Sequence, residues 1–177
     1  MLFLLTFSFF VQYDMEHFEV KYGDELPDDK IKIVGIVGES NQKIYALALK
    51  KKDYYIKTFD SQSMKLLTTN EIKFSELDGR DVDFEDIYML NGKVYVIGSV
   101  FVRKTKTFHL VASNIQEDGA VNSDGIKLFS EVVKSKSKRG QFTFEIGVDE
   151  NTLVGFHMLE LPKDKTYQYK LKLFDAN

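Results

Sequence analysis

The sequence predicts an all-β protein of antiparallel, four-stranded meander sheets. Three observations carry that expectation. Short apolar, β-branched or aromatic runs alternate with turn signals from Ile31 onward, and no stretch of twelve or more residues holds a sustained helical apolar period. Phe (15) and Tyr (9) are abundant beside two prolines and no tryptophan, a balance that suits pleated structure. The same order of runs also recurs along the chain.

The first unit opens with Ile31–Gly38, then turns at Ser40-Asn41-Gln42. Lys43–Leu49 and Tyr54–Phe59 follow, separated by the charged turn Lys50–Asp53, and Met64–Phe74 is a fourth, irregular strand. In the second unit, Phe84–Leu90 leads into Asn91-Gly92, a strong hairpin signal because both residues tolerate positive φ. Lys93–Val102, Thr107–Ile115 and Ile126–Val133 complete it, and Val132–Lys138 can make one helical turn. The third unit contains Phe142–Val148, Thr152–Leu161 and Thr166–Phe174.

The second strands start at Lys43, Lys93 and Thr152, a repeat of about 50 to 60 residues. Lys43-Ile44-Tyr45 echoes Lys93-Val94-Tyr95, and Lys57–Asp60 echoes Lys172–Asp175. A period of this length with four strands per unit marks β-propeller blades. One such sheet cannot keep both faces dry, so each must lean on the next. The expected division is 1–12 as a leader remnant or N-terminal strand, 13–30 as a linker, and 31–177 as the repeat domain. Its units are approximately 31–80, 81–140 and an incomplete 141–177. Because a closed propeller uses about 4 to 8 sheets, the expectation is an incomplete propeller, either a fragment or a chain that must pair with another. A two-sheet sandwich of about 11 strands is the competing architecture.

Asn91–Val96 (NGKVYV) and Lys170–Asp175 (KLKLFD) resemble the degenerate propeller repeats of bacterial envelope proteins such as those of Bacteroidetes. The resemblance spans roughly Ile31 to Asn177. It implies a propeller-type scaffold outside the cytoplasm. Neither the tryptophan–aspartate nor the double-glycine kelch signature is present, and no family motif assigns a catalytic residue.

Met1–Gln12 (MLFLLTFSFFVQ) has the length of a signal peptide's apolar core. No basic residue precedes it, as would follow if Met1 lay inside a longer natural leader; a buried strand is the other reading. No apolar run reaches the roughly 20 residues of a membrane-spanning helix. The 24 basic and 27 acidic residues leave a net charge of −3, which gives no electrostatic case for nucleic acid. The absence of cysteine removes disulfides, thiolate metal sites and cysteine nucleophiles.

Three groups remain as candidate sites. The run Glu76–Asp86 holds six acids in eleven residues, and Asp78, Asp81 and Asp83 could offer oxygens to a calcium ion, although the spacing is not that of a calcium loop. A solvated connection between sheets explains the same run. Asp86 and Glu145 both fall in the first strand of their unit, the strand that lines a propeller channel. They could bind a cation or polar ligand there, or serve as a hydrolase's carboxylate pair. Lys134, Lys136, Lys138 and Arg139 form the basic patch, a contact for an anionic surface or a solvated loop. His17, His109 and His157 show no metal-binding spacing, and the latter two lie in apolar runs as packed, hydrogen-bonded side chains. The leading expectation is a non-catalytic binding module with an unknown protein or polysaccharide partner. A propeller-fold hydrolase and a structural spacer are the alternatives.

Overall fold

The computed structural model describes residues 25–26, 28–161 and 166–176. The expected leader, 1–12, lies outside the described residues, as does most of the 13–30 linker. The eleven strands are β1 (Lys32–Ser40), β2 (Lys43–Lys50), β3 (Asp53–Asp60), β4 (Leu66–Glu71), β5 (Asp83–Leu90), β6 (Lys93–Val102), β7 (Thr107–Asn114), β8 (Ile126–Val132), β9 (Gln141–Ile146), β10 (Thr152–Leu161) and β11 (Thr166–Asp175). The only helical element among the described residues is a 3-10 turn at Lys136–Lys138, inside the stretch where one turn was expected. No helix among them is long and apolar enough to cross a membrane.

The strands form three antiparallel meanders, β1-β2-β3-β4, β5-β6-β7-β8 and β9-β10-β11. Strands starting at Lys43, Lys93 and Thr152 are therefore the second strand of three separate sheets. Among the described residues there are three sheets, not the two of a sandwich. The fourth strand of the first sheet is shorter than Met64–Phe74. It runs only from Leu66 to Glu71, because Asp60 caps a tight turn with its carboxylate on the Ser63 amide (2.7 Å) and hydroxyl (2.6 Å), and Met64 takes φ +57°.

The central sheet is buried on both sides, which is why Lys93–Val102 reads as a continuous apolar run. Val94 and Val96 face the first sheet and pack with Ile56, Ile72, Tyr54 and Leu47. Tyr95 and Ile97 face the third and pack with Phe108, Phe129, Leu153 and Phe144. Such alternation places successive side chains of one strand in two different cores. The first and second sheets approach closely at their first strands, where β1 lies beside β5. Gly38 permits this, since a Cβ there would run into the Met89 side chain. The hairpin ends also align. Asn91 (φ +47°) and Gly92 (φ +66°) form the expected turn, and the Asn91 amide donates to the Glu150 carbonyl of the equivalent turn in the third sheet (2.9 Å). This is the blade-like stacking that the repeat implies.

Candidate functional site

The inner strand β5 carries three acids among its first four residues, Asp83, Glu85 and Asp86, because its end meets solvent at the sheet margin. A register shift between Phe84 and Asp86 lets Glu85 and Asp86 diverge, as a bulge does. Asp86 pairs with Ile97 and so points toward the third sheet, where it accepts a hydrogen bond from the Tyr88 hydroxyl (2.5 Å). Burial raises the Tyr88 pKa above its ordinary value, the bond to Asp86 raises it further, and the charges of Asp86 and Glu145 add to the effect. Glu145 thus lies near enough to act on the same phenol. The two carboxylates do not share a face, however. Glu145 is opposite Val154 on the outward side of the third sheet, while its neighbours Phe142 and Phe144 turn toward the second. The structure brings Asp86 and Glu145 within electrostatic reach of one tyrosine, from different sheets.

Glu85 is engaged differently. Both of its oxygens accept from Arg139, the second at 3.1 Å, and Oε1 also accepts from the Ser99 hydroxyl. Arg139 donates to Ser99 as well (3.0 Å), and its guanidinium lies 5.1 Å from the Phe108 ring centroid. Lys136 pairs with Asp83 one turn earlier. The connection between the second and third sheets is therefore stapled to β5 at two points. A fork-shaped, two-bond grip of this kind fixes orientation as well as distance. Lys136 and Arg139, expected to meet an anionic surface, have partners within the protein. Lys134 and Lys138 are exposed.

Beneath the staple, His157 is fully buried. Its Nε2 donates to the Arg139 carbonyl (2.8 Å), and its ring stacks on Phe142 at 4.1 Å and 1°. Nδ1 has no hydrogen-bond partner among the described residues. This is the packed histidine expected from the apolar run. Gly140, at φ +82°, lets the loop pass, because a Cβ there would strike the Met158 carbonyl.

The acidic run folds into a small hairpin. Leu77 bridges Arg80 around Asp78 (φ +53°) and Gly79 (φ +68°). Asp78 reaches Lys127 at 4.0 Å and faces a cleft of about 520 Å³ lined also by Arg80, Arg103, Lys104 and His109. Asp81 and Asp83 line a second cleft with Arg80, Arg103 and Lys136. Every candidate calcium carboxylate stands among basic side chains, which compete with a cation for its oxygens. Among the described residues no three His, Asp or Glu side chains are grouped to hold a metal ion. His109 accepts or donates at Ser130 (2.8 Å); burial lowers its pKa, Lys127 lowers it further, and Asp78 opposes both.

One surface was not singled out from the sequence. On β11, Lys170 and Lys172 turn inward: Lys170 pairs with Glu131 (2.6 Å), and Lys172 donates to the Leu128 carbonyl (3.1 Å) and lies 4.7 Å from the Phe129 centroid. The alternate residues Tyr167, Tyr169, Leu171 and Leu173 must then face outward, and all four are exposed. Phe156 joins them from β10. The legible signal was period-two alternation with large apolar residues on the side away from the lysines.

No protein-family model matches the sequence, and no curated protein does. Among solved structures, the crystal structure of an endo-arabinase from Bacteroides thetaiotaomicron VPI-5482 aligns with 79% of this chain and 55% of that chain, at 13% identity and a TM-score of 0.40. The alignment thus spans little more than half of the enzyme chain, and a likeness at this level has no bearing on activity.

Proposed function

We propose that the chain is a non-catalytic, propeller-type binding or interaction module that works outside the cytoplasm, and that its contact surface is the outward face of the third sheet. The observation supporting this is a contiguous patch of five large apolar side chains, from Phe156 at 36% exposed to Leu173 at 67%. Patches of this kind on a folded surface mark interaction sites. The apolar run Met1–Gln12 supports an extracytoplasmic setting, and the repeat motifs support kinship with bacterial envelope propellers. The hydrolase alternative would need Asp86 and Glu145, which both act on Tyr88, to reach one substrate bond.

The test is binding of the apolar dye ANS to the native chain under conditions where circular dichroism shows intact β-structure. A dye signal that falls at least fivefold in Leu171→Ser/Leu173→Ser supports the reading. A native chain that binds no dye identifies a spacer and overturns it. So does hydrolysis of chromogenic glycoside, ester or lactone substrates that is abolished in Asp86→Asn and Glu145→Gln.

A further inference from the structure

We propose that two copies of this chain pair face to face through the third sheet, each covering the apolar surface that the other leaves open. This rests on the reading of that face as an interaction surface and names its occupant. Val154, Phe156 and Met158 on β10 stand opposite Leu173, Leu171 and Tyr169 on β11, and partners across an antiparallel ladder share a face. Phe156 stacks on Tyr169 at 5.6 Å, and Tyr167 follows at 6.4 Å. The rings already form a strip in the single chain, so little side-chain freedom is lost on contact.

The area suits a second copy. Roughly half of three aromatic side chains and most of two leucines amount to about 500 Å² per copy. A symmetric pair would therefore remove on the order of 1,000 Å² from water, the lower end for specific protein interfaces. Two sheet faces pack at about 10 Å, and each presents the flat apolar layer the other needs. The opposite end of the stack does not offer such a layer. On the outward side of the first sheet Ala46 and Ala48 are fully buried, as are Phe59 (7%) and Lys57 (1%), and Asp29 reaches across to Lys57 (3.0 Å). Its exposed apolar residues, Ile33, Val34 and Ile36 on β1 and Leu67 on β4, lie on the two edge strands with the buried centre between them. Head-to-tail stacking thus meets a covered surface, whereas like-to-like pairing closes after two copies.

The strands of this face carry Glu145 and Glu160, and Lys138 borders it beside Met158, Glu160 and Tyr167. With both signs of charge at its margin the contact is mainly apolar, so the pair should respond little to salt. A basic partner would be released by salt.

The experiment is sedimentation velocity on the full chain from about 1 to 100 µM, a range centred on micromolar affinity. The expected mass rises from 20.5 kDa toward twice that value, with a midpoint that moves little as salt is raised. Leu171→Ser/Leu173→Ser, and independently Tyr169→Ser, should shift the midpoint upward at least tenfold. Val148→Ser, exposed but in the β9–β10 turn, should leave it unchanged. A monomer throughout, a dimer indifferent to both face variants, or open-ended aggregates would overturn the pairing. A monomer that still binds ANS on this face ends the pairing alone; one that binds none ends the interaction reading too.

Discussion

Asp29 holds Lys57 across the outward face of the first sheet, its carboxylate 3.0 Å from an ammonium group that is 1% exposed. Asp29 also accepts the Ile31 amide at 2.8 Å, so the same carboxylate fixes the entry into β1. Lys57 is the largest of the fully buried side chains, and such a charge persists in a sheet face only while its partner stays in place.

That pair has a pH signature. The Ile31 amide, and next the Lys57 ammonium, hold the Asp29 carboxyl below its ordinary value of 3.8. A carboxylate depressed in the folded state stabilises above its unfolded pKa, and the contribution is lost as pH falls through the folded one. Acid titration of stability should therefore show a loss below about pH 4 that is absent in Asp29→Asn. Lys57→Met should be neutral or stabilising by about 1 kcal/mol, because an apolar isostere needs no partner. Urea melts at pH 7 and pH 3 on the three proteins check both outcomes.

The Glu85–Arg139 grip should not tolerate lysine. Arg139→Lys retains the charge but loses the fork that meets both carboxylate oxygens and the Ser99 hydroxyl. Both Arg139→Lys and Arg139→Ala should lose about 2 kcal/mol of stability, with the alanine variant the worse because Phe108 also loses its cover. Equal stability of wild type and Arg139→Lys would contradict this.

Phe129 is the hub of the core between the second and third sheets. It is 1% exposed, meets Phe142, His157 and Phe174 edge-on, and lies under Lys172. Phe129→Ala should cost about 3 to 5 kcal/mol in chemical denaturation, through lost burial plus the cavity left behind.

Gly140→Ala combines a strained positive φ with a collision at the Met158 carbonyl, and should cost about 2 kcal/mol by loosening the loop that carries Arg139. The same change at Gly35, where a Cβ meets open space, serves as the control and should alter stability by less than about 0.5 kcal/mol.

Alkaline titration followed by tyrosinate absorbance isolates Tyr88. Its hydroxyl should ionise late, as should that of Tyr45, which burial and Glu117 also raise, because burial and the Asp86 carboxylate both favour the neutral Tyr88 phenol. A raised folded pKa in an acid of this type stabilises below the unfolded value near 10, and that stability disappears as pH rises through the folded one. Asp86→Asn should bring the late transition down toward the rest; an unchanged spectrum at high pH would refute the contact.

Much of the fold was readable because burial imposes itself on local pattern. Lys93–Val102 is apolar at every turn of the pleat since Val94 and Val96 meet one sheet while Ile97 meets another. Asn91-Gly92 announced its hairpin through the φ values that it can adopt. The site was far less readable. Asp83 and Lys136 were candidates for separate roles, calcium and an anionic surface, and they turn out to be partners separated by 53 positions. Nothing local reports which acid a loop lysine will meet. Asp86 and Glu145 occupy equivalent strands and both point away from the preceding sheet, so they enter successive gaps of the stack, a consequence of sheet order that no local pattern reports.

The tie between Asn91 and Glu150 has a further consequence. It fastens the second and third sheets at adjacent turns, and the peripheral connection Gln116–Gly125 does the same for the first and second: the Asn70 side-chain amide donates to the Asp118 carbonyl (2.8 Å), and Val121 packs into the core between them. The molecule is laced along its fore-edge as well as its spine. An epitope or affinity tag grafted between Asp118 and Ser123 should unstitch the leaves, as should the same graft at Asn91.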